Sequence, residues 1–219
     1  MDMKEAVFSR HSVRKYTDKK LPGEVIEKLN GLIEEYNAEG GLSIRLVTDE
    51  PKSFSGFMAH YGGFSGVANY FAMIGAPKED LDELIGYYGE KLVLASQEMG
   101  LNTCWVALTY SKRPVAMERG EKLLCVISVG YGENQGKPHR SKPLSSLCRC
   151  EGEMPEWFRR GMEFVCQAPT AMNQQRFLFT LSGGKVNARS KGGSCAKIDL
   201  GIAKLHFELG AGKENFEWA

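Results

Sequence analysis

The span from Asp80 to Met99 limits the fold more than any other part of the chain. Leu81, Leu84, Ile85, Tyr88, Leu92, Ala95 and Met99 recur there at helical spacing. Wound as a helix, they form one continuous apolar stripe that has to be buried against other elements. Gly100 is the natural C-terminal stop, because a residue without Cβ enters the left-handed region at little cost. Leu101 to Leu108 then leaves the helix end as a turn and a near-continuous apolar stretch. With 219 residues and 24.3 kDa, the chain is long enough to bury such a helix in one domain or two small ones.

Around this centre the remaining elements follow from the same rules. Val25, Leu29, Leu32, Ile33 and Tyr36 predict a helix over 24–36, introduced by Pro22-Gly23 and ended by Gly40-Gly41. Residues 42–47 alternate as a short strand, 67–74 read as a strand, and 123–129 as a buried-type strand ended by Gly130-Tyr131-Gly132. Residues 53–66 are rich in Gly, Ser, Phe and Tyr, a loop too aromatic to be a solvated linker. In the last third, 157–167 and 194–209 read as helices, and 176–181 and 186–189 as strands. The order helix, strand, strand, helix, Gly stop and terminal Trp thus occurs at 25–105 and again at 157–218. It reads as a degenerate internal duplication or as ordinary α+β alternation.

The net charge of +1 supplies no long-range field to gather nucleic acid or an anionic membrane. The opening Met1-Asp2-Met3-Lys4-Glu5 is charged, and no apolar run approaches membrane-spanning length. A cytoplasmic protein without nucleic-acid or membrane partners is the expectation. Cys104, Cys125 and Cys166 sit in apolar surroundings, and Cys148-Arg149-Cys150 lacks the Cys-x2-Cys spacing of structural zinc sites. No metal site and no disulfide is assigned.

The chemistry-bearing stretch is Arg10-His11-Ser12-Val13-Arg14. Its guanidinium groups, hydroxyl and imidazole can converge on one anion. By itself the stretch reads as a phosphate grip or as a solvated charged face. A basic turn over Gly136 to Pro143, with Lys137, His139, Arg140 and Lys142, and the segment Ala168-Pro169-Thr170-Ala171-Met172-Asn173-Gln174-Gln175 lie far downstream.

Taken together, Arg10 to Tyr16, Gly86 to Leu94 running into Gly100-Leu101-Asn102-Thr103-Cys104-Trp105, and Ala168 to Gln175 resemble the nitroreductase family. More narrowly they resemble its branch in which one chain carries both half-sites, and Asp199-Leu200-Gly201-Ile202 with His206-Phe207 adds to that likeness. The resemblance implies an α+β, nitroreductase-like fold: a central, mostly antiparallel sheet surrounded by helices, with an internal pseudo-two-fold. The whole chain, 1–219, would be one domain with halves at about 1–150 and 151–219. Ordinary members pair two identical chains around each FMN. Here the Arg-x-Ser-x-Arg grip stands only in the first half and the Pro-Thr-x-x-Asn loop only in the second, so a monomer enclosing one FMN is implied.

By the same resemblance, Arg10, Ser12, Arg140 and Lys142 would bind the FMN phosphate, and His11 the pyrimidine edge. Arg14 would stabilise negative charge at flavin N1 and the C2 oxygen. Trp105, Ala107 and Leu108 would run along one ring face, with the Ala107 amide toward N5, while Pro169, Thr170 and Asn173 would close the other. Arg14 and Ala107 are the catalytic candidates. Gln175 departs from the family pattern, where Pro is common. The implied activity is FMN-dependent oxidation of NADH or NADPH, with hydride passed to a small electron-poor acceptor such as a nitroaromatic or quinone. A flavin-storing or flavin-sensing protein and a cofactor-free scaffold are the rival readings. No nucleophile with a histidine partner supports a catalytic triad.

Overall fold

The computed structural model describes residues 1–138 and 140–219; His139 of the basic turn lies outside the described residues. The chain opens with α1 (Met3–Ser9), fixed by a capping box in which Asp2 Oδ1 accepts from Glu5 N at 2.8 Å and Glu5 Oε2 from Asp2 N at 3.0 Å. After α2 (Gly23–Gly40) and β1 (Arg45–Val47), the aromatic-rich segment forms a turn over Lys52–Phe54 and a short helix, α3 (Phe57–Tyr61). The sequence reading made this segment a loop, because five helical residues are too few to display a period. Phe54 and Phe64 are buried, as its aromatic content suggests, whereas Phe57 and Tyr61 face solvent.

Next come β2 (Tyr70–Gly75), α4 (Leu81–Glu98), β3 (Asn102–Val106) and β4 (Lys122–Gly130). Gly100 follows α4 at φ +76°, the left-handed stop anticipated for it. The short α5 (Leu144–Leu147) and β5 (Cys148–Cys150) lead to α6 (Glu156–Val165), β6 (Phe177–Ser182), β7 (Lys185–Ser190), α7 (Ala196–Ala211) and β8 (Glu217–Trp218).

The strands form two sheets. One, in the order β1-β2-β4-β3, is antiparallel throughout. In the other, β5-β6-β7-β8, the central β6–β7 pair is antiparallel and each outer strand is parallel to its neighbour. The α+β class with helices around mostly antiparallel sheets is therefore what the chain adopts. The elements α2-β1-β2-α4-β3 are matched in order by α6-β6-β7-α7-β8.

Helices α4 and α7 cross at a contact made by glycine. A Cβ on Gly86 would fall 2.0 Å from the Ile198 carbonyl oxygen, and one on Gly201 1.9 Å from that of Glu83. Each glycine lies three residues after the carbonyl that the other helix's glycine touches, the reciprocal pattern of a two-fold contact.

The crossing sets the site's floor, and residues 10–16 set one of its walls. They run beside β3, with Val13 N donating to Thr103 O at 3.0 Å, and are pinned from the other side by Tyr16 N to Ser65 O and Ser65 N to Arg14 O, both 3.0 Å. The buried Tyr16 hydroxyl donates to Val13 O at 2.8 Å and lies 2.8 Å from Ser128 Oγ.

Candidate functional site

Where the 10–16 segment meets the end of β3, a cleft of about 350 Å³ opens. Ser12, Arg14 and Phe64 supply one side and Trp105, Ala107 and Leu108 the next. Pro169, Thr170, Met172 and Gln174 come from the far half of the sequence. Ile198, Asp199 and Ile202 of α7, with Cys125 of β4, form the floor. Seven expected site residues thus line one space: Ser12, Arg14, Trp105, Ala107, Leu108, Pro169 and Thr170.

The wall carrying Pro169 and Thr170 is a strained loop. Met172, Asn173 and Gln175 have φ of 53°, 52° and 41°, left-handed values that each cost a non-glycine residue free energy. Asp199 holds it in place: Oδ1 accepts from Ala171 N at 3.0 Å, and Oδ2 from Gln174 Nε2 at 2.7 Å. Burial pushes the Asp199 carboxyl above its ordinary value, while the Ala171 amide and Gln174 side chain pull against that shift.

Gln175 explains the departure from the family pattern. Proline is locked near φ −65°, so it cannot occupy this left-handed position. The buried Gln175 side chain instead takes Lys142 N at 2.7 Å on Oε1 and donates through Nε2 to Arg140 O at 3.2 Å and Asn173 Oδ1 at 2.9 Å.

Five expected site residues do not line the cleft. Asn173 Nδ2 donates to Arg140 O at 2.9 Å, and Lys142 Nζ to Gln174 O at 2.6 Å. Asn173 and Lys142, with the Arg140 carbonyl, thereby tie the basic turn to the back of the loop. The His11 ring stands with Nδ1 3.2 Å from Gln135 O. Arg10, expected on the phosphate, turns inward and is only 4% exposed; its Nε lies 3.8 Å from Glu90 Oε1 and makes no hydrogen bond. The physical reason is Glu90 itself, a fully buried carboxylate on α4 that requires positive charge nearby.

Sequence reasoning did not single out this buried cluster, although it touches the cleft. Glu90 Oε2 accepts from Trp105 Nε1 at 2.9 Å, and Oε1 lies 3.0 Å from His206 Nε2. His206 Nδ1 lies 3.0 Å from Phe164 O. A carbonyl can only accept, so Nδ1 bears hydrogen, and a second proton lies between Nε2 and the carboxylate. Glu90 thereby fixes the Trp105 indole in the cleft wall. The one sequence signal was an acidic residue placed within the apolar run of α4, with Val93 and Leu94 just beyond it. Asp199, Gln174 and Gln175 were likewise absent from the expected site, because their partners are distant in sequence or lie on the backbone.

Arg14 makes no ion pair among the described residues; its guanidinium carbon stands 5.8 Å from the centre of the Phe64 ring. Burial pushes the Cys104 and Cys125 thiols up, so neither is a nucleophile at neutral pH. The cleft therefore combines apolar walls with a hydroxyl and an uncommitted cation at one end. That donor set fits a planar heterocycle with an electron-accepting edge.

Comparison with known proteins places the chain in a family. The family model described as "Putative TM nitroreductase" matches residues 2–211. Among solved structures, the "putative nitroreductase" of Thermotoga maritima is 22% identical, with a TM-score of 0.69 over 99% of this chain and 87% of that one. A nitroreductase family protein from Streptococcus pneumoniae is 14% identical, with a TM-score of 0.53 over 67% of this chain and 98% of its own. The "putative nitroreductase in complex with FMN" of Desulfovibrio desulfuricans is 18% identical, with a TM-score of 0.53 over 71% and 98%. No curated protein matches the sequence. At these identities the solved structures speak for the fold, and the family model, spanning nearly the whole sequence, speaks for descent: the chain belongs to the nitroreductase family that this model describes.

Proposed function

We propose that the protein is an FMN-dependent oxidoreductase that oxidises NADH or NADPH and passes the electrons to a small electron-poor acceptor such as a nitroaromatic or quinone. The observation that carries this reading is the meeting of Ser12 and Arg14 with Pro169 and Thr170 around one cleft, although more than 150 residues of chain separate the two pairs. Membership of a nitroreductase family and the FMN held by the Desulfovibrio desulfuricans neighbour support it. The flavin, when bound, supplies the hydride chemistry.

The chain's own groups supply position and charge. Arg14 offers its guanidinium to the negative charge that develops on a reduced ring, and Ser12 a hydroxyl at the same end. Ala107 stands one residue beyond the last strand pair, Val106–Val126, and lines the cleft. Thr170 keeps its hydroxyl engaged by accepting from Gln175 N at 3.1 Å, so Pro169 and Thr170 act as a fixed wall. Bulk water supplies protons, because Asp199 is committed to the loop and the thiols of Cys104 and Cys125 are held protonated.

We further infer that one chain encloses one FMN. The reciprocal glycine contact of α4 and α7 supports this, as does the coverage of ordinary nitroreductases by about two thirds of this chain. The visible spectrum of purified or FMN-reconstituted protein tests the reading, with one flavin per chain and NADH or NADPH oxidation upon addition of a quinone as the expected result. Arg14→Ala should weaken FMN binding about 10- to 100-fold, the range of a hydrogen bond to a charged group, measured by flavin fluorescence titration. A chain that takes up no FMN, or a loaded protein idle with both reductants, counts against the enzyme.

A further inference from the structure

Positive charge is gathered in one part of the chain. Residues 134–150 and 164–198 hold nine Lys and Arg and no Asp or Glu, although the net charge of the whole chain is only +1. Strand pairing puts two of these cations on the outer face of the second sheet. Arg149 lies opposite Thr180, Thr180 opposite Asn187, and Leu178 opposite Arg189. These five residues therefore share one face, while Phe177, Phe179 and Val186 fill the core on the other. Lys191 follows at the end of β7. Its Nζ donates to Ser146 O at 3.0 Å, and Arg149 Nη1 donates to Ser145 O, so the carbonyls of adjacent residues hold an ammonium and a guanidinium side by side. Desolvation first, and then the charges of Arg149, Lys142 and Arg189, push the Lys191 ammonium below its ordinary value.

None of Arg149, Arg189 and Lys191 makes an ion pair among the described residues. Like charges crowded in this way repel, and an anion bearing more than one negative charge relieves the repulsion. Most of their donors are free. Arg149 spends Nη1 on the Ser145 and Cys148 carbonyls, Lys191 gives one bond to Ser146, and the Arg189 side chain gives none. A phosphate monoester carries close to two charges on three acceptor oxygens, which such donors meet with charge-assisted bonds. Nucleic acid would favour cations strung along a track, whereas these converge on one point. The cluster stands apart from the flavin grip expected at Arg10, Ser12, Arg140 and Lys142, yet it is close to the cleft: Ser194, three residues beyond Lys191, lines it, and three residues span at most about 11 Å.

We propose that Arg149, Arg189 and Lys191 form a binding site for a phosphate monoester beside the cleft. The ester has two possible sources, the 2′-phosphate of NADPH with its nicotinamide end in the cleft, or a free phosphorylated molecule. The first source rests on the flavin reading above and makes NADPH the preferred reductant. The second does not depend on it.

The test titrates FMN-loaded protein with inorganic phosphate, NADP⁺ and NAD⁺ by calorimetry in phosphate-free buffer, and compares kcat/KM for NADPH and NADH with a quinone as acceptor. Inorganic phosphate should bind the variant Arg189→Gln/Lys191→Gln at least tenfold more weakly than the wild type, the loss expected when hydrogen bonds to a charged group are removed. The charge-retaining variant Arg189→Lys/Lys191→Arg should keep the wild-type affinity. With NADPH as the source, NADP⁺ binds at least tenfold tighter than NAD⁺ and kcat/KM favours NADPH by a similar factor. Both gaps then close in the Gln variant, with flavin content and the NADH values unchanged. Equal affinity for the two nucleotides, with phosphate binding lost only in the Gln variant, supports the site and assigns it to a free ester. No phosphate binding by the wild type, or equal binding by the Gln variant, would overturn the proposal. So would a short RNA bound at least tenfold tighter than NADP⁺ and released in the Gln variant, which would give the face to nucleic acid. Failure to take up FMN, or to oxidise either nucleotide, counts against the flavin reading instead, and the phosphate titration of the full chain then decides the site alone.

Discussion

Glu90 shows how one residue can tie a wall of the cleft to the protein's interior. Its two oxygens serve Trp105 in the cleft, His206 on α7 and Arg10 at the end of α1. Removing a buried carboxylate leaves the buried Arg10 guanidinium without counter-charge, which typically costs about 3–5 kcal/mol. Glu90→Ala should therefore lose about that much stability in urea unfolding, and the emission of Trp105 should shift as its indole loses its acceptor. Retention of full stability would mean that Arg10 and the His206 proton do not depend on this carboxylate. Residue identity was legible here and role was not: Arg10 reads as a phosphate ligand beside Ser12, and only the inward turn of its side chain gives it to Glu90.

Among the elements, the α4–α7 crossing is the most exacting. Alanine normally stabilises a helix interior by about 1 kcal/mol relative to glycine. At Gly86 and Gly201 the added methyl would strike a backbone carbonyl of the other helix, and overpacking of this kind costs about 1–3 kcal/mol. Gly86→Ala and Gly201→Ala should each lower the urea midpoint, reversing the sign expected from propensity. A gain in either would show that the helices can separate without penalty. The long helices were legible because their apolar residues repeat over several turns. The short α1, α3, α5, β5 and β8 were not, since each is too brief to show a period and is held by contacts outside itself. The parallel pairing of β5 and β8 to the second sheet was equally hidden, because strand partners leave no local mark.

For the whole molecule, the repeated order of elements, the reciprocal glycine contact and the split of site residues between the two ends of the sequence all favour one chain doing the work of a pair. Light scattering should then give a mass near 24.3 kDa for the flavin-loaded protein. A stable dimer with one FMN per two chains would contradict it. The Thermotoga maritima structure shares its fold with 99% of this chain, and the Streptococcus pneumoniae one with 67%.

The sequence by itself determined the α+β class, the long helices with their glycine stops, and the separate stretches around residues 10–14, 105–108 and 169–175 that meet at the cleft. The helices and their stops follow from local periodicity, and the site stretches from their resemblance to a known family. Tertiary structure alone decided that Arg10 faces Glu90, that Asn173 and Lys142 brace the loop from behind, that Gln175 occupies a backbone conformation closed to proline, and that Asp199 holds the loop from the floor. Each of these depends on which distant groups burial forces together, because a buried charge or amide must find its partner wherever the fold brings one within reach.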